Sequence, residues 1–518
     1  MDFEREGQDI TASDMIVSEE DSDIKHFFNN STVFVTGVTG FLGKLALEKL
    51  LYICEDVKIF VLIRKKNGMS AESRLTDIFN ELIFERLKRI RPNFKENVHV
   101  ISGDVCYPNF KIQSEDLETL TADVDCIMNF AATKKIDEHI KLSTYTNVAS
   151  VKYLIELAKR MKHLKAFLHI STVFSSLGKE KIIEEFCEAP ISSEKLLSLV
   201  ECLDNDQLRD ITDIILKKYP NTYAFTKCVA EDYIKSHGQS LPIVLFRPSI
   251  AIATAKDPVS GWIDTIHGVT GAMIWGSLGV LRSLHCQKKY KAELVPADYI
   301  INGCLAAMWN VAMKKVLNDN QEIQNSQNIE IPIYNFVSSV QNPVSWDEVR
   351  TLAKNHSEQA PSVYMVWYYM FKMRSSYMEH VMAIFLLHAL PAYIIDFLST
   401  CLGKNTSARE NYKKINQIVD MLSYYATKEW KFENNNVKTL WKEMRKSDRE
   451  LFDFDMGALN WDMYFYTCIR GARVYILKDP LDTIPQGIRK FYKLMIIYYL
   501  ILCVCWCVIL YSALLILK

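Results

Sequence analysis

Short apolar runs rich in β-branched residues alternate with amphipathic segments along the first half of the chain. Six of these runs predict buried strands, at residues 32–36, 57–63, 98–102, 126–130, 166–170 and 243–246. Helical periodicity between them is clearest at 73–91 and 137–161. Strands that alternate with helices in this way build parallel sheets, which bind ligands beyond the carboxyl ends of their strands. The pattern therefore predicts an α/β fold around a doubly wound, parallel, Rossmann-type sheet.

A glycine turn links the first predicted strand to a helical segment. It follows Thr36 and has the spacing G-x-x-G-x-x-G. Glycines let a backbone approach a pyrophosphate, and the N-terminus of the next helix supplies N–H groups and a positive dipole end. A purely structural turn is the alternative, but the strand–turn–helix context favours a dinucleotide site. The predicted contacts are Thr36, Gly37, Thr39, Gly40, Phe41, Leu42 and Gly43.

Basic residues follow the second predicted strand, where NAD-selective domains tend to carry a carboxylate for the ribose hydroxyls. This chain has Arg64 and Lys65 there. A guanidinium suits a 2′-phosphate, so the sequence favours NADPH over NADH, with a solvated basic loop as the alternative. Residues after the third, fourth and sixth strands complete the predicted cofactor contacts: Asp104, Val105, Ala131, Ala132 and Pro248.

The fifth predicted strand leads to Thr172, and Tyr223 and Lys227 follow farther along with a spacing of four residues. On a helix these two side chains share a face. A nearby ammonium is expected to lower the pKa of a phenol from about 10. Tyr223 can then donate a proton to an oxygen beside a carbon that receives hydride, while Lys227 holds the nicotinamide ribose and Thr172 binds the carbonyl. We predict these three residues to be catalytic; a surface Tyr–Lys pair is the alternative.

The C-terminal segment 494–517 carries no charged residue. As a helix it would span roughly 36 Å, more than the hydrocarbon core of about 30 Å. Arg489, Lys490 and Lys493 precede it. By the positive-inside rule this predicts a single-pass C-terminal anchor with the catalytic part in the cytosol. We favour the endoplasmic reticulum over the peroxisome as the membrane.

A second apolar stretch covers residues 381–402. It is interrupted by His388, Pro391 and Asp396. A carboxylate in lipid costs a few kcal/mol, which disfavours a span. Three interpretations remain open: a second span, a membrane-surface helix or lid over the substrate, and part of the core.

Composition narrows the class of protein. The 518 residues carry 61 basic and 62 acidic side chains, and this balance gives no support to nucleic-acid binding. With 49 % hydrophobic residues the chain can bury a large core, although acidic residues crowd 1–25 and predict a disordered tail there. Thirteen cysteines without C-x-x-C spacing indicate a reducing compartment and no metal site. No feature specifies an oligomeric state.

Taken in order, these motifs resemble those of the alcohol-forming fatty acyl-CoA reductases, a branch of the extended short-chain dehydrogenase/reductases. The resemblance extends over 26–485 and departs from the family at Phe174, where tyrosine is frequent, and at Lys134-Lys135. It rests on T-G-V-T-G-F-L-G-K at 36–44, L-I-R-K-K at 62–66, Y-A-F-T-K at 223–227, F-R-P-S-I at 246–250, Y-N-F-V-S-S-V-Q-N-P-V-S-W at 334–346 and Y-F-Y-T-C-I-R-G-A-R at 464–473.

The resemblance implies an NADPH-binding reductase domain at 26–350 and a helical C-terminal domain at 351–485, ahead of the anchor. It also implies a reaction: a long-chain acyl-CoA is reduced by two hydride transfers from NADPH, through a bound aldehyde, to a primary alcohol and free CoA. The implied partners are acyl-CoA and the lipid bilayer. Alternatives are a membrane-bound hydroxysteroid-type dehydrogenase, a reductase that stops at the aldehyde, and a non-catalytic NADPH-binding scaffold.

Overall fold

The computed structural model describes residues 22–135, 137–177, 180–320, 330–403 and 407–516. A parallel sheet of seven strands lies at its centre, in the order β7-β6-β5-β4-β1-β2-β3. The strands are β1 (Thr32–Thr36), β2 (Lys58–Ile63), β3 (Val98–Ser102), β4 (Cys126–Asn129), β5 (Ala166–Ile170), β6 (Ile243–Pro248) and β7 (Ile333–Phe336). The strand order reverses between β1 and β4, and this is where a doubly wound sheet opens a crevice for ligand. The predicted fold class is confirmed.

Alternation along the central strands separates two apolar layers. In β1, Val33 and Val35 pack into the layer on one face of the sheet, whereas Phe34 packs into the layer on the other. Phe34 lies opposite Phe60 of β2, which belongs to the same layer. Because both faces are covered, these strands are apolar throughout, which is the property that made them recognisable in the sequence.

Helices cover both layers and continue into the C-terminal half. The α-helices are Asp23–Phe28, Phe41–Ile53, Ala71–Phe79, Glu85–Ile90, Ser114–Asp123, Ile140–Thr144, Ser150–Ala158, Ser193–Cys202, Asn205–Leu216, Thr222–His237, Gly268–Ser277, Ala297–Asn320, Trp346–Gln359, Tyr377–Ile384, Leu390–Cys401, Ala408–Ala426, Asn435–Glu443, Lys446–Leu451, Trp461–Gly471 and Ile484–Ile516. Single π-helical turns follow at Tyr145–Ala149, Phe385–Ala389 and Ala472–Ile476.

Two predicted helices differ from the structure. The segment 73–91 is broken into Ala71–Phe79, a 3₁₀ turn at Leu82–Phe84 and Glu85–Ile90. The segment 137–161 begins only at Ile140, because the His139 side chain caps the helix by accepting from Lys141 N. The first correction is a break inside a predicted helix, and the second concerns a helix end, where a capping group outweighs the apolar periodicity.

Two short parallel strand pairs join the C-terminal half to the reductase half. Lys181–Ile182 pairs with Lys431–Phe432, and Ser283–His285 pairs with Lys372–Arg374. A third pair, Ile250–Ile252 with Leu294–Pro296, lies within the reductase half. The predicted domain boundary at 350/351 falls inside helix Trp346–Gln359.

The predicted N-terminal tail covers residues 1–25, and its first 21 residues lie outside the described part of the chain. Its last residues are structured: helix Asp23–Phe28 begins within it, and Ile24 is fully buried. The Ser22 hydroxyl and the Ile24 N–H both donate to the Asp448 carboxylate. This pairing with a distant residue is invisible in local composition, and it explains why the predicted tail ends too late.

Among the described residues, two helices are long and apolar enough to cross a membrane, at Tyr377–Cys401 and Leu481–Leu515. No residue is buried in the most apolar part of the second helix, whereas 17 % of the residues in the most apolar part of the first helix are buried. The second contains the predicted anchor 494–517 as far as it is described. The first contains most of the stretch 381–402.

Candidate active site

The glycine turn forms a close crossing between β1 and β4. Gly37 has φ +76°, and a Cβ there would lie 2.5 Å from the Ala131 nitrogen. A Cβ on Gly43 would lie 2.3 Å from the Gly37 carbonyl oxygen. Gly40 stands at the N-cap of helix Phe41–Ile53, whose first N–H groups are free to meet an anion. The backbone is therefore shaped as a phosphate cradle that side chains would fill.

A cleft of about 560 Å³ opens from this turn along the carboxyl ends of the strands. We call it the strand-end cleft. Its lining includes fifteen of the predicted site residues: Gly37, Thr39, Gly40, Phe41, Leu42, Gly43, Arg64, Asp104, Val105, Ala131, Ala132, Thr172, Tyr223, Lys227 and Pro248.

Two predicted cofactor contacts do not line the strand-end cleft. Thr36 is fully buried inside the sheet, and its hydroxyl donates to the Asn129 amide oxygen at 2.7 Å. Lys65 lies outside the cleft, whereas the next residue, Lys66, lines it. Side chains alternate in direction along extended backbone, and this alternation is the physical reason that neither side chain reaches the cleft.

Basic groups gather at the end of the cleft nearest β2. Arg64 Nη1 lies 3.4 Å from Asp104 Oδ2, and Arg74 Nη1 donates to the Arg64 carbonyl oxygen at 2.6 Å. Burial, and then the neighbouring Arg64 charge, lowers the pKa of Arg74. Three cationic residues, Arg64, Lys66 and Arg74, thus face one end of the cleft. Arg74 was missed in the sequence because it lies on the following helix, ten residues beyond Arg64.

The predicted catalytic residues meet at the other end of the cleft. Thr172 lies two residues beyond the end of β5, and its hydroxyl oxygen accepts from Phe174 N at 3.3 Å, which leaves the hydroxyl proton available. Tyr223 and Lys227 lie on helix Thr222–His237, which begins where the Asn221 side chain accepts from Ala224 N. Lys227 Nζ donates to the Ile170 carbonyl oxygen at 2.7 Å and is thereby fixed at the end of β5.

The electrostatics of this pair differ from the expectation. Burial, and then Tyr425, raises the pKa of Tyr223, so the phenol keeps its proton. Burial lowers the pKa of Lys227 to about 8, against the opposing charge of Glu231. The expected lowering of the phenol pKa by the ammonium is wrong for this structure, because burial raises this pKa instead. A protonated phenol is nevertheless the form that can donate.

A buried ionic network supports the catalytic end, and the sequence reasoning missed it. Glu231 accepts from the hydroxyl groups of Ser171 and Ser175 and pairs with the fully buried Arg247. Ser171 immediately precedes Thr172, so the network fixes the backbone that carries the Thr172 hydroxyl. The spacing held a signal: Glu231 is four residues beyond Lys227 and lies on the same helix face.

A residue of the C-terminal half packs next to the helix that carries Tyr223. Tyr425 is near the end of helix Ala408–Ala426, and its hydroxyl accepts from the Asn221 amide at 3.0 Å. Its ring centroid lies 4.7 Å from that of Phe174. Segments distant in sequence therefore meet beside the start of this helix, a contact that no local motif predicts.

Comparison with known proteins decides the family. Two family models, both described as male sterility protein, match residues 35–304 and 387–479. The fatty acyl-CoA reductase wat of Drosophila melanogaster is 35 % identical over 486 residues, covering 94 % of this chain and 92 % of that protein. The chain belongs to the fatty acyl-CoA reductase family. Human fatty acyl-CoA reductase 1, a further family member, is 29 % identical and covers 92 % of this chain and 90 % of its own length. The resemblance inferred from the motifs is confirmed.

Solved structures of other reductase domains share the fold of this chain. The terminal reductase domain from the myxalamid biosynthetic pathway superimposes with a TM-score of 0.54 at 16 % identity, covering 87 % of this chain and 92 % of its own. The reductase domain of a non-ribosomal peptide synthetase from Mycobacterium tuberculosis gives 0.53 at 14 % identity, covering 90 % and 97 %. At these identities the likeness establishes the architecture alone. Together with the family assignment, the NAD-binding part of the chain indicates an oxidoreductase with a nicotinamide cofactor.

Proposed function

We propose that this protein reduces a long-chain fatty acyl-CoA to the primary alcohol and free CoA, with NADPH as the reductant. The observation that carries the proposal is the strand-end cleft, which joins the glycine turn to Thr172, Tyr223 and Lys227. The acyl-CoA substrate follows from the names of the family relatives, and the order of events follows from the chemistry of the site.

The residues present fit NADPH. The bare backbone of Gly37 and Gly43 leaves room for a pyrophosphate, and the N-terminus of helix Phe41–Ile53 favours its charge. Arg64, Lys66 and Arg74 would hold a 2′-phosphate. Lys227 would hold the nicotinamide ribose. When bound, NADPH supplies hydride to the carbonyl carbon.

Thr172 and Tyr223 act on the carbonyl oxygen. Each donates a hydrogen bond, so negative charge that develops on this oxygen is stabilised in both reductions. In the first, the thiolate of CoA departs and the carbonyl re-forms as an aldehyde. In the second, Tyr223 gives its proton to the oxygen and completes the alcohol. Lys227, held by the Ile170 carbonyl, places a positive charge near the phenol.

The two proposed reduction steps need no nucleophilic cysteine. Cys228 adjoins Lys227 but is 1 % exposed, and burial raises the pKa of its thiol to about 12. A thiol of this kind forms little thiolate and is a poor nucleophile. Direct reduction of the thioester therefore suits the site better than an acyl-enzyme.

The proposal includes a membrane location. Helix Ile484–Ile516 would cross the bilayer once, and Arg489, Lys490 and Lys493 would keep the catalytic part in the cytosol. We propose the endoplasmic reticulum as the membrane. Acyl-CoA is amphiphilic, so a membrane-bound enzyme meets its substrate at the surface where it partitions.

Product analysis tests the proposal. The full chain in detergent is incubated with palmitoyl-CoA and either NADPH or NADH, and the lipid products are separated by chromatography. We expect hexadecanol, formed faster with NADPH. Hexadecanal as the end product would establish the reductase that stops at the aldehyde, and turnover of a hydroxysteroid but not of acyl-CoA would overturn the proposal.

A further inference from the structure

The long helical segment Tyr377–Cys401 has two unlike faces. His380, His388 and Ala392 are buried against the protein, at 2 %, 0 % and 0 % exposed. Large apolar side chains on the opposite side are 55–75 % exposed: Met378, Met382, Phe385, Tyr393, Phe397 and the following Leu402. We call these six side chains the apolar face. Exposed apolar patches of this extent mark membrane or partner contacts.

The buried face is attached along its whole length. The Ser283 hydroxyl lies 2.8 Å from His380 Nδ1, and Arg282 N donates to His388 Nε2 at 3.0 Å. Farther along, the Asp396 carboxylate accepts from Ala408 N at 2.9 Å. A helix that crossed the bilayer would have to abandon these contacts, so the segment runs along the surface of the protein.

The helical segment 377–401 is linked to the base of the proposed anchor. Arg282 Nη1 donates to the Leu387 carbonyl oxygen at 2.6 Å, and its guanidinium lies 6.0 Å from the Trp367 ring. The next residue, Tyr368, packs its ring 5.3 Å from Phe491 and 5.4 Å from Tyr498 on helix Ile484–Ile516. The two exposed apolar helices are thus joined by a short chain of contacts through Arg282, Trp367 and Tyr368.

Resting on the membrane anchorage proposed above, we propose that helix 377–401 lies in the plane of the cytosolic leaflet, with the apolar face among the lipid acyl chains. Continuity with the anchor identifies phospholipid as the occupant. Arg409 lies 5.2 Å from the ring of exposed Tyr393, which places a cation beside an aromatic ring, as suits the headgroup boundary.

This contact also reaches the active site. His388 Nδ1 lies 3.2 Å from the Asn416 amide oxygen on helix Ala408–Ala426. The same helix carries Tyr425 near its end, which packs against Phe174, two residues beyond Thr172. A helix seated in the leaflet would therefore hold the wall of the site close to the surface from which the substrate arrives.

Site-specific photocross-linking tests the inference in the full chain. p-Benzoylphenylalanine replaces Phe385 or Phe397 on the apolar face, Trp506 within the proposed anchor, and Ile214 as a control that is 74 % exposed on helix Asn205–Leu216. Each variant is reconstituted in vesicles of phosphatidylcholine carrying a labelled acyl chain and is irradiated. NADPH-dependent turnover of each variant verifies that it is folded.

We expect labelled phospholipid adducts at positions 385, 397 and 506, and no adduct at the control position 214. An adduct at 506 without one at 385 or 397 would overturn the in-plane helix and leave the anchor in place. No adduct at any position would overturn the proposed anchorage as well. Cross-links at 385 or 397 that join two copies of the chain would assign the apolar face to self-association and overturn the inference.

Discussion

At the residue scale, the proposed mechanism depends on a Tyr223 phenol that keeps its proton. Because burial raises the pKa of Tyr223, we expect Tyr223→Phe to lower turnover by roughly 10²–10⁴-fold, the usual contribution of a general acid. NADPH binding should persist, because the phenol adds only one of the many cofactor contacts. Turnover and fluorescence titration with NADPH measure the two effects. Loss of binding in this variant would instead make Tyr223 structural.

The pH dependence follows from Lys227. With a pKa lowered to about 8, its ammonium is present below that pH and loses its proton above it, so kcat/KM should fall as pH rises through about 8. Tyr223 stays protonated over this range. In Lys227→Arg the guanidinium keeps its charge, so the residual activity should lack this alkaline limb. A limb near pH 8 that persists in this variant would assign the titration to another group.

Cofactor choice is a second property of single residues. Arg74→Ala should raise KM for NADPH by roughly tenfold or more, equivalent to a lost charge-assisted hydrogen bond of about 1.5–3 kcal/mol, and leave KM for NADH unchanged. Arg89→Ala, which changes an exposed arginine on helix Glu85–Ile90, is the matched control. Steady-state kinetics with both cofactors measure the change. An equal rise for NADH would contradict a role at the 2′-phosphate.

These residues also show what a sequence can and cannot predict about a site. Thr172, Tyr223 and Lys227 could be predicted to line one site because their chemistry follows from residue type and helical spacing. Thr36 and Lys65 lie outside the cleft, since side-chain direction at a strand end depends on register. Tyr425 comes from a helix about two hundred residues beyond Tyr223, and only tertiary packing brings it to the site.

At the scale of elements, the glycine turn is the strictest requirement. Gly37 and Gly68 both have positive φ, but a Cβ would collide with the Ala131 backbone at Gly37 and would meet nothing within 4 Å at Gly68. Gly68→Ala should lower the free energy of unfolding only by the cost of a left-handed backbone at alanine, roughly 1–2 kcal/mol. Gly37→Ala should cost more and also abolish NADPH binding. Thermal denaturation in detergent and NADPH titration compare them; equal losses in both variants would contradict the close crossing.

The strands were more predictable than the helices. β1, β3 and β5 have the predicted bounds, because buried parallel strands are short apolar runs with sharp ends. β7, at Ile333–Phe336, was not assigned as a strand: it lies at the edge of the sheet, far from the glycine turn, and follows a long helix. The segment 73–91 was harder to predict, since its apolar periodicity continues across Asn80 and Glu81, although the helix is interrupted there.

At the scale of the whole molecule, the proposed function makes one catalytic unit of the two halves. The reductase half supplies the glycine turn and Tyr223, the proposed proton donor, and the C-terminal half supplies Tyr425 and two exposed apolar helices. The family models match parts of both halves. The proposed function therefore predicts that cofactor, thioester and membrane meet in a single chain.

The most direct test of the central claim is the ratio of NADPH oxidised to CoA released during turnover of palmitoyl-CoA by the full chain. If one cleft performs both reductions, the ratio is two, and one hexadecanol forms for each CoA. A ratio of one with hexadecanal accumulating would contradict the second reduction, and NADPH binding without release of CoA would contradict the acyl-CoA substrate itself.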